Sequence, residues 1–351
     1  MLHLSHKIFS VFSLDKDIGG ISTMIELSTI VMSSEVKQVN LFLLKDTATF
    51  NLISDKFKKK KNVKIFEISL LDKIFIKIGI LNNKIKKNIF NSDIIFIHNA
   101  KLASCFNTIS KVKPIILFFH TDKNKQIKML KNITKVFAVN NQTKKLINNF
   151  FKNKKAFLLP NCIKIDKKKY VQKTKSKNIV IGAMGRFVKK KAFDLLIKVM
   201  QSYQGNQKVK LLIAGDGPLM QSYKSLIKNN KNIQLLGWVK DKESFFSKID
   251  IFCSPSKIEP FGIVILEAMA RGIPVISTRC HGPLDIIKNN KNGILININN
   301  EYEMKSAIDL LKNNAEIRKN ISKNGLDTIK YKYTIKAYKR NLFSLLNDVL
   351  K

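Results

Sequence analysis

The chain has 351 residues, of which 64 are lysine or arginine and 25 are aspartate or glutamate, so its formal net charge is +39 at pH 7. With 45% hydrophobic residues, 14 glycines and 7 prolines, its composition excludes collagen-like, low-complexity and intrinsically disordered chains. The length predicts about two domains. The four cysteines are far apart and form no C-x-x-C pair, which argues against a disulfide framework or a zinc ribbon and predicts a reduced, cytoplasmic setting.

The sequence gives no signal for a membrane-spanning or secretory segment. No run approaches the ~18 apolar residues of a membrane-spanning helix, and His and Lys interrupt the first residues too early for a signal peptide. Lysine, asparagine and isoleucine are all abundant, whereas arginine occurs only at 186, 271, 279, 318 and 340. Much of the lysine excess is therefore attributed to an AT-rich coding sequence.

Short apolar runs alternate with segments of helical length in two series. The first series predicts strands at 8–13, 39–44, 63–68, 93–98, 115–120, 136–139 and 156–159, with helices such as 21–33 and 143–151 between them. The second series predicts strands at 179–184, 209–214, 233–236, 249–254, 274–277 and 293–296. Such alternation predicts parallel sheets with helices on both faces.

The predicted fold class is therefore α/β, with two doubly wound, Rossmann-like domains that face each other across a cleft at the carboxyl ends of their strands. The predicted limits are 1–160 for the N-terminal domain, 161–177 for a polar, lysine-rich linker and 178–332 for the C-terminal domain. The last segment, 333–351, is predicted to be a helix that packs back across the interface.

Two glycines, Gly19 and Gly20, follow the first strand and open the first helix. Glycine permits a tight turn and a close backbone approach, and the free amides of the following helix favour an anion. The pair therefore indicates a phosphate-binding turn or, as the simpler alternative, a turn without further function. Asp15 and Asp17 in the same loop are interpreted as solvated acids rather than metal ligands.

Arg186 and Lys191 lie between the strand 179–184 and an apolar-periodic helix. Two cations at the end of a strand can bind a diphosphate, because they offset the charge that develops on a leaving phosphate. The alternative is a solvated basic loop, which applies to Lys189 and Lys190 more than to Arg186, since arginine is rare in this chain.

Two further strand ends carry glycine. Gly215 begins a Gly-Asp-Gly-Pro turn, which either reverses the chain or forms part of a ligand-binding wall. Trp238 follows the glycine at the end of the strand 233–236 and is interpreted either as a wall against a nucleobase or as a core residue.

The most specific pattern is a pair of acids, Glu259 and Glu267, eight residues apart. Pro260 and Gly262 predict that Glu259 lies in a loop before a helix and that the amides of 261–263 are unpaired. Eight helical residues cover roughly 12 Å, about the distance from the sugar of a nucleotide sugar across its diphosphate to the ribose. One acid can then bind sugar hydroxyls and the other the ribose diol. A capping pair is the alternative, but it leaves the intervening Pro-Phe-Gly unexplained.

Together these motifs resemble the retaining glycosyltransferases of family 4, which have the GT-B fold, and among them the enzymes that build bacterial lipopolysaccharide or capsule. The resemblance covers nearly the whole chain in order. Its motifs are Gly19-Gly20, the strand-end residues His98 and His120, Pro160-Asn161, Arg186 with Lys191, the turn at 215–218, Glu259 with Glu267, and the Gly-Pro-x-Asp-Ile-Ile sequence at 282–287.

The resemblance implies roles for individual residues. Arg186 and Lys191 would bind the diphosphate of the donor, and Glu267 would bind its ribose. Glu259 would contact the transferred sugar, and His120 would lie near that sugar and the phosphate. The other implied donor-binding positions are Gly19, Gly20, Gly215 and, through their backbone amides, Phe261, Gly262 and Ile263.

The sequence departs from the family pattern at several positions. Ala192 replaces the usual glycine after the lysine, and Cys162 replaces the glycine of the Pro-Asn-Gly turn, so the backbone angles at both positions are open. His281 and Asp285 stand where these enzymes often have glycine and glutamate. His98 is interpreted as either a site residue or a structural strand-end histidine.

The implied reaction transfers a hexose from a nucleoside diphosphate sugar, with a UDP-sugar favoured, to a saccharide or lipid-linked acceptor with retention of configuration. No carboxylate stands out as a nucleophile, so the prediction is a front-face route in which the leaving diphosphate accepts the acceptor's proton. No cofactor and no metal ion are expected, because the cations are part of the chain. The segment 1–160 would bind the acceptor, and 178–332 the nucleotide sugar.

The N-terminal half also contains two basic segments, 57–64 and 70–90. The second mixes Ile, Leu and Phe with Lys in an amphipathic pattern, which predicts peripheral contact with an anionic membrane at the inner face of the cytoplasmic membrane. The alternative is an ordinary core helix with a lysine-rich outer face.

Three other functions stay open. The net charge by itself favours nucleic-acid binding, but the lysines are spread along the chain and no nucleic-acid-binding motif is visible, so no nucleic-acid partner is expected. A sugar-nucleotide epimerase or a phosphorylase shares the architecture, yet the combination of two cations and two acids favours transfer. The third possibility is an inactive relative retained as a binding subunit, which would not need all four of Arg186, Lys191, Glu259 and Glu267.

Overall fold

The computed structural model of the chain divides into two compact units. Unit 1 comprises Met1–Cys162 and Ile335–Lys351, and unit 2 comprises Ile163–Thr334. The structure describes residues 4–77, 80–106, 109–121, 124–152, 155–165, 178–206 and 208–350. Residues 166–177 of the predicted linker lie outside the described residues. The predicted domain limits stay predictions.

Unit 1 is built on a parallel sheet. In its described part, seven strands pair in the order β3-β2-β1-β4-β5-β6-β7. They are β1 (Ile8–Ser13), β2 (Gln38–Leu44), β3 (Val63–Ile68), β4 (Ile94–Ile97), β5 (Ile115–Phe119), β6 (Lys135–Ala138) and β7 (Ala156–Leu158). Each end lies within one residue of its prediction, because a strand that is covered on both faces reads as a continuous apolar run.

Helices cover the sheet of unit 1. They are α1 (Gly20–Met32), α2 (Ala48–Phe57), α3 (Leu70–Lys77), α4 (Asn83–Phe90), α5 (Asn141–Phe151) and the C-terminal α13 (Ile335–Leu350), with short 3-10 segments at Ala100–Phe106, Ile109–Lys111 and Asn124–Leu130. Polar side chains fix some of the helix starts: Asn140 accepts a hydrogen bond from the amide of Thr143 at the start of α5. The helix α13 is tied to the rest of unit 1 by an ion pair between Lys339 and Glu35.

Unit 2 has a second parallel sheet. Within its described residues, six strands pair in the order β10-β9-β8-β11-β12-β13. They are β8 (Ile179–Met184), β9 (Val209–Ala214), β10 (Ile233–Gly237), β11 (Ile251–Ser254), β12 (Val275–Thr278) and β13 (Ile294–Ile296). The helices are α6 (Phe193–Gln201), α7 (Met220–Ile227), α8 (Lys242–Lys248), α9 (Ile263–Met269), α10 (His281–Ile286), α11 (Glu301–Asn313) and α12 (Ala315–Lys332). The prediction of two doubly wound α/β domains is confirmed.

Each sheet reverses its strand order at one point. The reversal lies between β1 and β4 in unit 1 and between β8 and β11 in unit 2. In an open parallel sheet the loops diverge there, and ligands bind at the carboxyl ends of the two strands. The loops that follow these four strands therefore mark the place in each unit where a site is expected.

The amphipathic segment predicted at 70–90 forms two helices with different surroundings. The helix α4 buries Ile85 and Ile89 and turns its lysines outward, as an ordinary core helix does. The helix α3 instead exposes large apolar side chains, namely Leu70, Leu71, Ile74 and Phe75. Across the described residues, no helix is both long enough and apolar enough to cross a bilayer.

Candidate active site

The loops that follow β8, β9 and β10 are joined by backbone hydrogen bonds. The amide of Phe187 donates to the carbonyl of Asp216 over 2.8 Å, and the amide of Gly215 donates to the carbonyl of Gly237 over 2.8 Å. Phe187 is fully buried, whereas the neighbouring Arg186 is exposed. The network therefore fixes the short loop from which the Arg186 side chain extends.

Gly215 has a structural requirement for glycine. A Cβ at this position, where φ is +148°, would lie 1.9 Å from the carbonyl oxygen of Gly185. Gly217 is similar, because a Cβ there would lie 2.8 Å from the carbonyl oxygen of Phe187. Only glycine lets the loop after β9 lie this close to the loop after β8. Gly215 thus supports the backbone around Arg186, and its contact with a donor stays a prediction.

Lys191 and Glu259 form an ion pair that joins the loops after β8 and β11. Lys191 Nζ lies 2.5 Å from Glu259 Oε2, and only 18% and 10% of the two side chains are exposed. The amides of Lys257 and Ile258 donate to the carbonyl of Lys190 over 2.8 and 3.3 Å, so backbone contacts hold the two loops together. The ion pair lies at the reversal point of the sheet in unit 2, where a ligand is expected.

The two departures from glycine in the sequence have different outcomes. Ala192 adopts φ +48° and ψ +41°, the left-handed conformation that glycine takes freely and that costs another residue ~1 kcal/mol. The backbone after Lys191 is therefore glycine-like although a methyl group is present. Cys162 is not among the described non-glycine residues with positive φ, so the turn at 160–162 does not depend on glycine.

The loop between Glu259 and α9 is held by its neighbours. As predicted, Glu259 lies in a loop before the helix, which begins at Ile263 after Gly262 at φ +104°. The ring of Phe261 is buried against Tyr333, with 6.0 Å between ring centroids, so its backbone alone is left for a ligand. Gly282 belongs to the family-like motif at 282–287, but its packing role was not predicted: a Cβ there would lie 2.2 Å from the Phe261 carbonyl oxygen, so the first turn of α10 packs directly on this loop.

Glu267 lies on α9 and binds a lysine from α8. Lys242 Nζ is 2.6 Å from Glu267 Oε1. The other oxygen, Oε2, is buried and has no hydrogen-bond partner among the described residues. A buried carboxylate oxygen without a donor is costly unless a ligand supplies one. Both predicted acids thus bind lysines, which favours the ligand-binding interpretation over a capping pair.

Trp238 follows β10 and is exposed at 57% of its surface. The alternative that it is a core residue is therefore wrong. A large exposed aromatic at the carboxyl end of a strand can stack on a planar ligand. Its role as a wall for a nucleobase stays a prediction.

In unit 1, Gly19 precedes α1 in extended conformation, with φ −178°. Apart from the glycine itself and its two neighbours in the chain, none of the described residues has an atom within 4 Å of the position where its Cβ would be. Neither the backbone nor the packing therefore requires glycine at this position. The first turn is closed by Ser22, whose Oγ accepts from the Gly19 amide over 2.7 Å. Gly20 is the first residue of α1 and is exposed.

Asp15 lies in the same loop and differs from its neighbour. It is partly buried, and this burial, with a smaller effect of Asp17, raises the pKa of its carboxyl group to about 6. The interpretation of Asp15 as a solvated acid is therefore wrong, whereas Asp17 is exposed. Over the described ranges, no group of three or more His, Cys, Asp or Glu side chains could hold a metal ion.

The two strand-end histidines of unit 1 lie side by side. His98 Nδ1 and His120 Nε2 are 3.0 Å apart, and the ring of His98 stacks on Phe118 with 4.7 Å between centroids. Burial lowers the pKa of His120 to about 4 and lowers that of His98 well below its usual value, with the neighbouring His120 adding to the second shift. Both rings are therefore neutral at pH 7.

The chain matches known proteins over its C-terminal half most clearly. The profile of the family described as glycosyl transferases group 1 matches residues 164–328. The lipopolysaccharide core biosynthesis glycosyltransferase LpsE of Rhizobium meliloti is 31% identical over 153 residues, which cover 43% of this chain and 44% of that protein. The chain therefore aligns with less than half the length of LpsE.

Two longer matches cover most of the chain. The structure of Anabaena HepE in complex with UDP and glucose superposes with a TM-score of 0.81 over 98% of this chain and 100% of that chain, at 16% identity, which confirms the GT-B fold. An uncharacterized glycosyltransferase of Methanocaldococcus jannaschii is 32% identical over 306 residues, which cover 80% of this chain and 85% of that protein. The chain belongs to the glycosyl transferases group 1 family.

Proposed function

We propose that this protein is a retaining hexosyltransferase that uses a nucleoside diphosphate sugar, with a UDP-sugar as the first candidate. The observation that carries the proposal is the partly buried ion pair between Lys191 and Glu259 at the reversal point of the sheet in unit 2. One partner can bind an anion and the other can accept hydrogen bonds from hydroxyls, which are the two chemistries that meet at the anomeric carbon of a sugar diphosphate. HepE was solved with UDP and glucose, which supports the choice of donor.

The cations of unit 2 are assigned to the diphosphate. Arg186 extends from the fixed loop after β8, and Lys191 lies beside Gly185 of the same loop, with its Cε 3.4 Å from the place where a Cβ on that glycine would be. When a donor binds, Lys191 exchanges the carboxylate of Glu259 for a phosphate oxygen. Glu259 is then left to accept hydrogen bonds from the hydroxyls of the sugar.

The nucleoside is assigned to the second acid. Glu267 Oε2 is buried and has no hydrogen-bond partner in the described part of the chain, and a ribose hydroxyl supplies the donor that this oxygen lacks. Lys242 holds the other oxygen at 2.6 Å and so limits rotation of the carboxylate. Trp238, exposed after β10, is assigned to the face of the base.

From unit 1, the family resemblance assigns His120, Gly19 and Gly20 to the donor. The open space around Gly19 supports this assignment, because none of the described residues accounts for a glycine there. His120 is neutral at pH 7 and can exchange a hydrogen bond with the sugar or its phosphate without adding charge.

The reaction is proposed to follow a front-face route. The bond between the anomeric carbon and the diphosphate oxygen breaks, the acceptor oxygen bonds to the same face, and its proton passes to the leaving phosphate. Arg186 and Lys191 stabilise the charge that develops on that phosphate, and such preorganised charge is the main catalytic contribution. No metal ion is assigned to the reaction, and added EDTA is expected to leave the rate unchanged.

The proposal is tested by calorimetry and thermal shift against UDP-, GDP- and ADP-sugars without added metal, since a ligand that binds the native state raises its stability. Binding of one donor, weakened about 10- to 100-fold in Arg186→Ala and little changed in Lys189→Ala, is the expected result. Lys189 is the matched control because it is an exposed cation of the same loop. Silence across the panel, together with salt-sensitive DNA binding, would overturn the proposal.

The acceptor is proposed to be a saccharide or lipid-linked saccharide of cell-surface polysaccharide synthesis, at the inner face of the cytoplasmic membrane. The matched LpsE acts in lipopolysaccharide core biosynthesis, which supports the pathway. The exposed apolar residues of α3 support a peripheral contact with an anionic membrane. Basic residues adjoin them in the chain at Lys58, Lys59, Lys61, Lys64, Lys84, Lys86 and Lys87, all exposed.

The membrane contact is tested by sedimentation with phosphatidylcholine vesicles with and without phosphatidylglycerol. The double variant Leu71→Ser, Phe75→Ser is expected to bind the anionic vesicles at least about tenfold more weakly, since each methylene that leaves the lipid costs ~0.8 kcal/mol. Tyr331→Ser is the control, because Tyr331 is 78% exposed in unit 2. Wild-type protein that stays in the supernatant at low salt would contradict the contact.

A further inference from the structure

The contact between the two histidines of unit 1 restricts which nitrogen of each ring carries the hydrogen. His98 Nδ1 and His120 Nε2 are 3.0 Å apart, and both rings are neutral, so one N–H lies between the two nitrogens. Two arrangements are compatible with this distance. Either His98 Nδ1 carries the hydrogen and donates, or His120 Nε2 carries it and donates.

Which histidine donates in this contact determines whether the other two ring nitrogens, His98 Nε2 and His120 Nδ1, carry a hydrogen. If His98 donates from Nδ1, its Nε2 has no hydrogen and His120 carries its own hydrogen on Nδ1. If His120 donates from Nε2, its Nδ1 is bare and His98 must carry a hydrogen on Nε2. The environment of His98 Nε2 therefore decides whether His120 Nδ1 is a donor or an acceptor.

The environment of His98 favours a bare Nε2. Only 3% of His98 is exposed, and its Nε2 is buried without a hydrogen-bond partner among the described residues. One face of the ring is covered by Phe118, which offers no acceptor in the ring plane. Buried N–H groups without an acceptor are rarer in proteins than buried acceptors without a donor. The hydrogen of His98 is therefore assigned to Nδ1.

We propose that His98 is a positioning residue that holds His120 in the Nδ1–H tautomer, so that His120 acts as a neutral hydrogen-bond donor. The ligand of that N–H is an oxygen of the donor sugar or of its phosphate, and this second part rests on the proposed function. The assignment removes His120 Nδ1 as a base for the acceptor. It therefore agrees with a route in which the leaving phosphate takes the acceptor's proton.

The tautomer is tested by NMR on the full chain with ¹⁵N-labelled histidine side chains. The chain has only five histidines, so the spectrum contains few signals. The His120 signals, identified by their loss in His120→Gln, are expected to show a protonated Nδ1 and an unprotonated Nε2 at pH 7.5. His98→Asn keeps a donor near the position of Nδ1 and is expected to keep this pattern. His98→Asp offers only an acceptor and is expected to move the hydrogen of His120 to Nε2. A wild-type His120 with its hydrogen on Nε2 would overturn the proposal, whether or not a donor sugar binds.

The functional part is tested by kinetics on the same variants with the donor found in the binding panel. His98→Leu and His98→Asp are expected to lower kcat about tenfold with a smaller change in KM, and His98→Asn is expected to restore most of it. Unchanged kcat in His98→Asp, with the shifted NMR pattern present, would overturn the functional part. Failure of every donor to bind while the NMR pattern holds would instead count against the proposed function and leave the tautomer assignment intact.

Discussion

The two units place their candidate residues at the same point of the same architecture but use opposite electrostatics. In unit 2 the reversal point carries full charges, and each acid is matched by a lysine, Glu259 by Lys191 and Glu267 by Lys242. In unit 1 the reversal point and the adjacent strand carry an open glycine turn and a partly buried pair of imidazoles that stays neutral. The strand order thus determines where a site forms, and the residues at the strand ends determine what it can bind.

The comparison also shows how each edge tolerates polar groups when no ligand is bound. Opposite charges in unit 2 compensate one another, and a charge left alone in such a place would be strongly destabilising. The imidazoles of unit 1 have no counterion in contact among the described residues and avoid the same penalty by remaining unprotonated. Variants that remove one partner in either unit therefore test whether this division is correct.

The largest effect is expected when the charge balance of unit 2 is broken by Glu259→Gln. Transfer should fall about 100-fold or more, because the transferred sugar loses a charged acceptor. The affinity for UDP without a sugar should stay the same or increase, because Lys191 no longer has to break an ion pair with a carboxylate before it binds the diphosphate. Calorimetry with UDP and turnover with the donor separate these results. Glu301→Gln, which removes an exposed ion pair with Lys198, is the control and should change neither. Weaker UDP binding in the Glu259 variant would argue that the pair supports the fold rather than the site.

The second effect concerns acid stability and belongs to unit 1. The folded-state pKa of His120 is about 4, below its value in an unfolded chain, so the unfolded state binds a proton first as the pH falls. Stability is therefore full above about pH 6.5 and decreases toward pH 4, by roughly 3 kcal/mol from this residue.

His120→Gln, which cannot be protonated, should flatten this decrease in urea titrations between pH 7 and pH 4.5. His6→Gln changes an exposed histidine of the same unit and should leave the wild-type curve unaltered. An equally steep decrease in both variants would show that carboxylates, not the imidazole pair, dominate the acid response.

The third effect sharpens the assignment of the nucleoside to unit 2. Wild-type protein should bind UDP about 10- to 100-fold more tightly than 2′-deoxy-UDP, because the ribose hydroxyl donates to Glu267 Oε2, the carboxylate oxygen that has no hydrogen-bond partner among the described residues. Glu267→Ala should lose this preference, and Lys242→Met, which keeps the acid but frees it, should retain part of it. Competition calorimetry measures the ratio. A preference that persists in Glu267→Ala would place the ribose elsewhere.

The smallest effect concerns Asp15 in the loop before Gly19. Its folded-state pKa of about 6 lies above the unfolded value, so the fold prefers the protonated form and loses stability as the pH rises from 4 through 6. Asp15→Asn should therefore stabilise the protein by ~1 kcal/mol at pH 8 and by nothing at pH 4. Chemical denaturation at both values checks this, and equal gains at the two pH values would exclude the carboxylate charge as the cause.

Much of the fold was predictable because its signals are local. Parallel strands covered on both faces, such as β8 and β9, appear in the sequence as uninterrupted apolar runs, and their ends match the prediction residue by residue. The positions of Arg186 and Gly215 were predictable for a related reason, since they follow β8 and β9 closely in the chain, and their roles stay predictions. The proximity of His98 and His120 was within reach as well, because both end neighbouring strands of one parallel sheet.

Other features depend on contacts that the sequence does not display. Lys242 meets Glu267 across 25 positions, and nothing around Lys242 separates it from the many other lysines. The helices α3 and α4 share the same mixture of Ile, Phe and Lys, yet α4 buries two of its three large apolar side chains whereas α3 exposes four of its five. Gly282 is required only because the Phe261 carbonyl lies against it. Each of these facts follows from tertiary packing.

The ion pair of Lys191 and Glu259 makes the proposed site selective for a ligand that can bind both residues together. A free phosphate can bind Lys191 but leaves Glu259 without a partner. A free sugar can donate hydrogen bonds to Glu259 but must compete with Lys191 for that carboxylate. Only a molecule that carries an anion and neighbouring hydroxyls on one scaffold satisfies both residues at once. Under the proposed function, a protein with a formal charge of +39 can in this way discriminate against polyanions and simple sugars at its donor site.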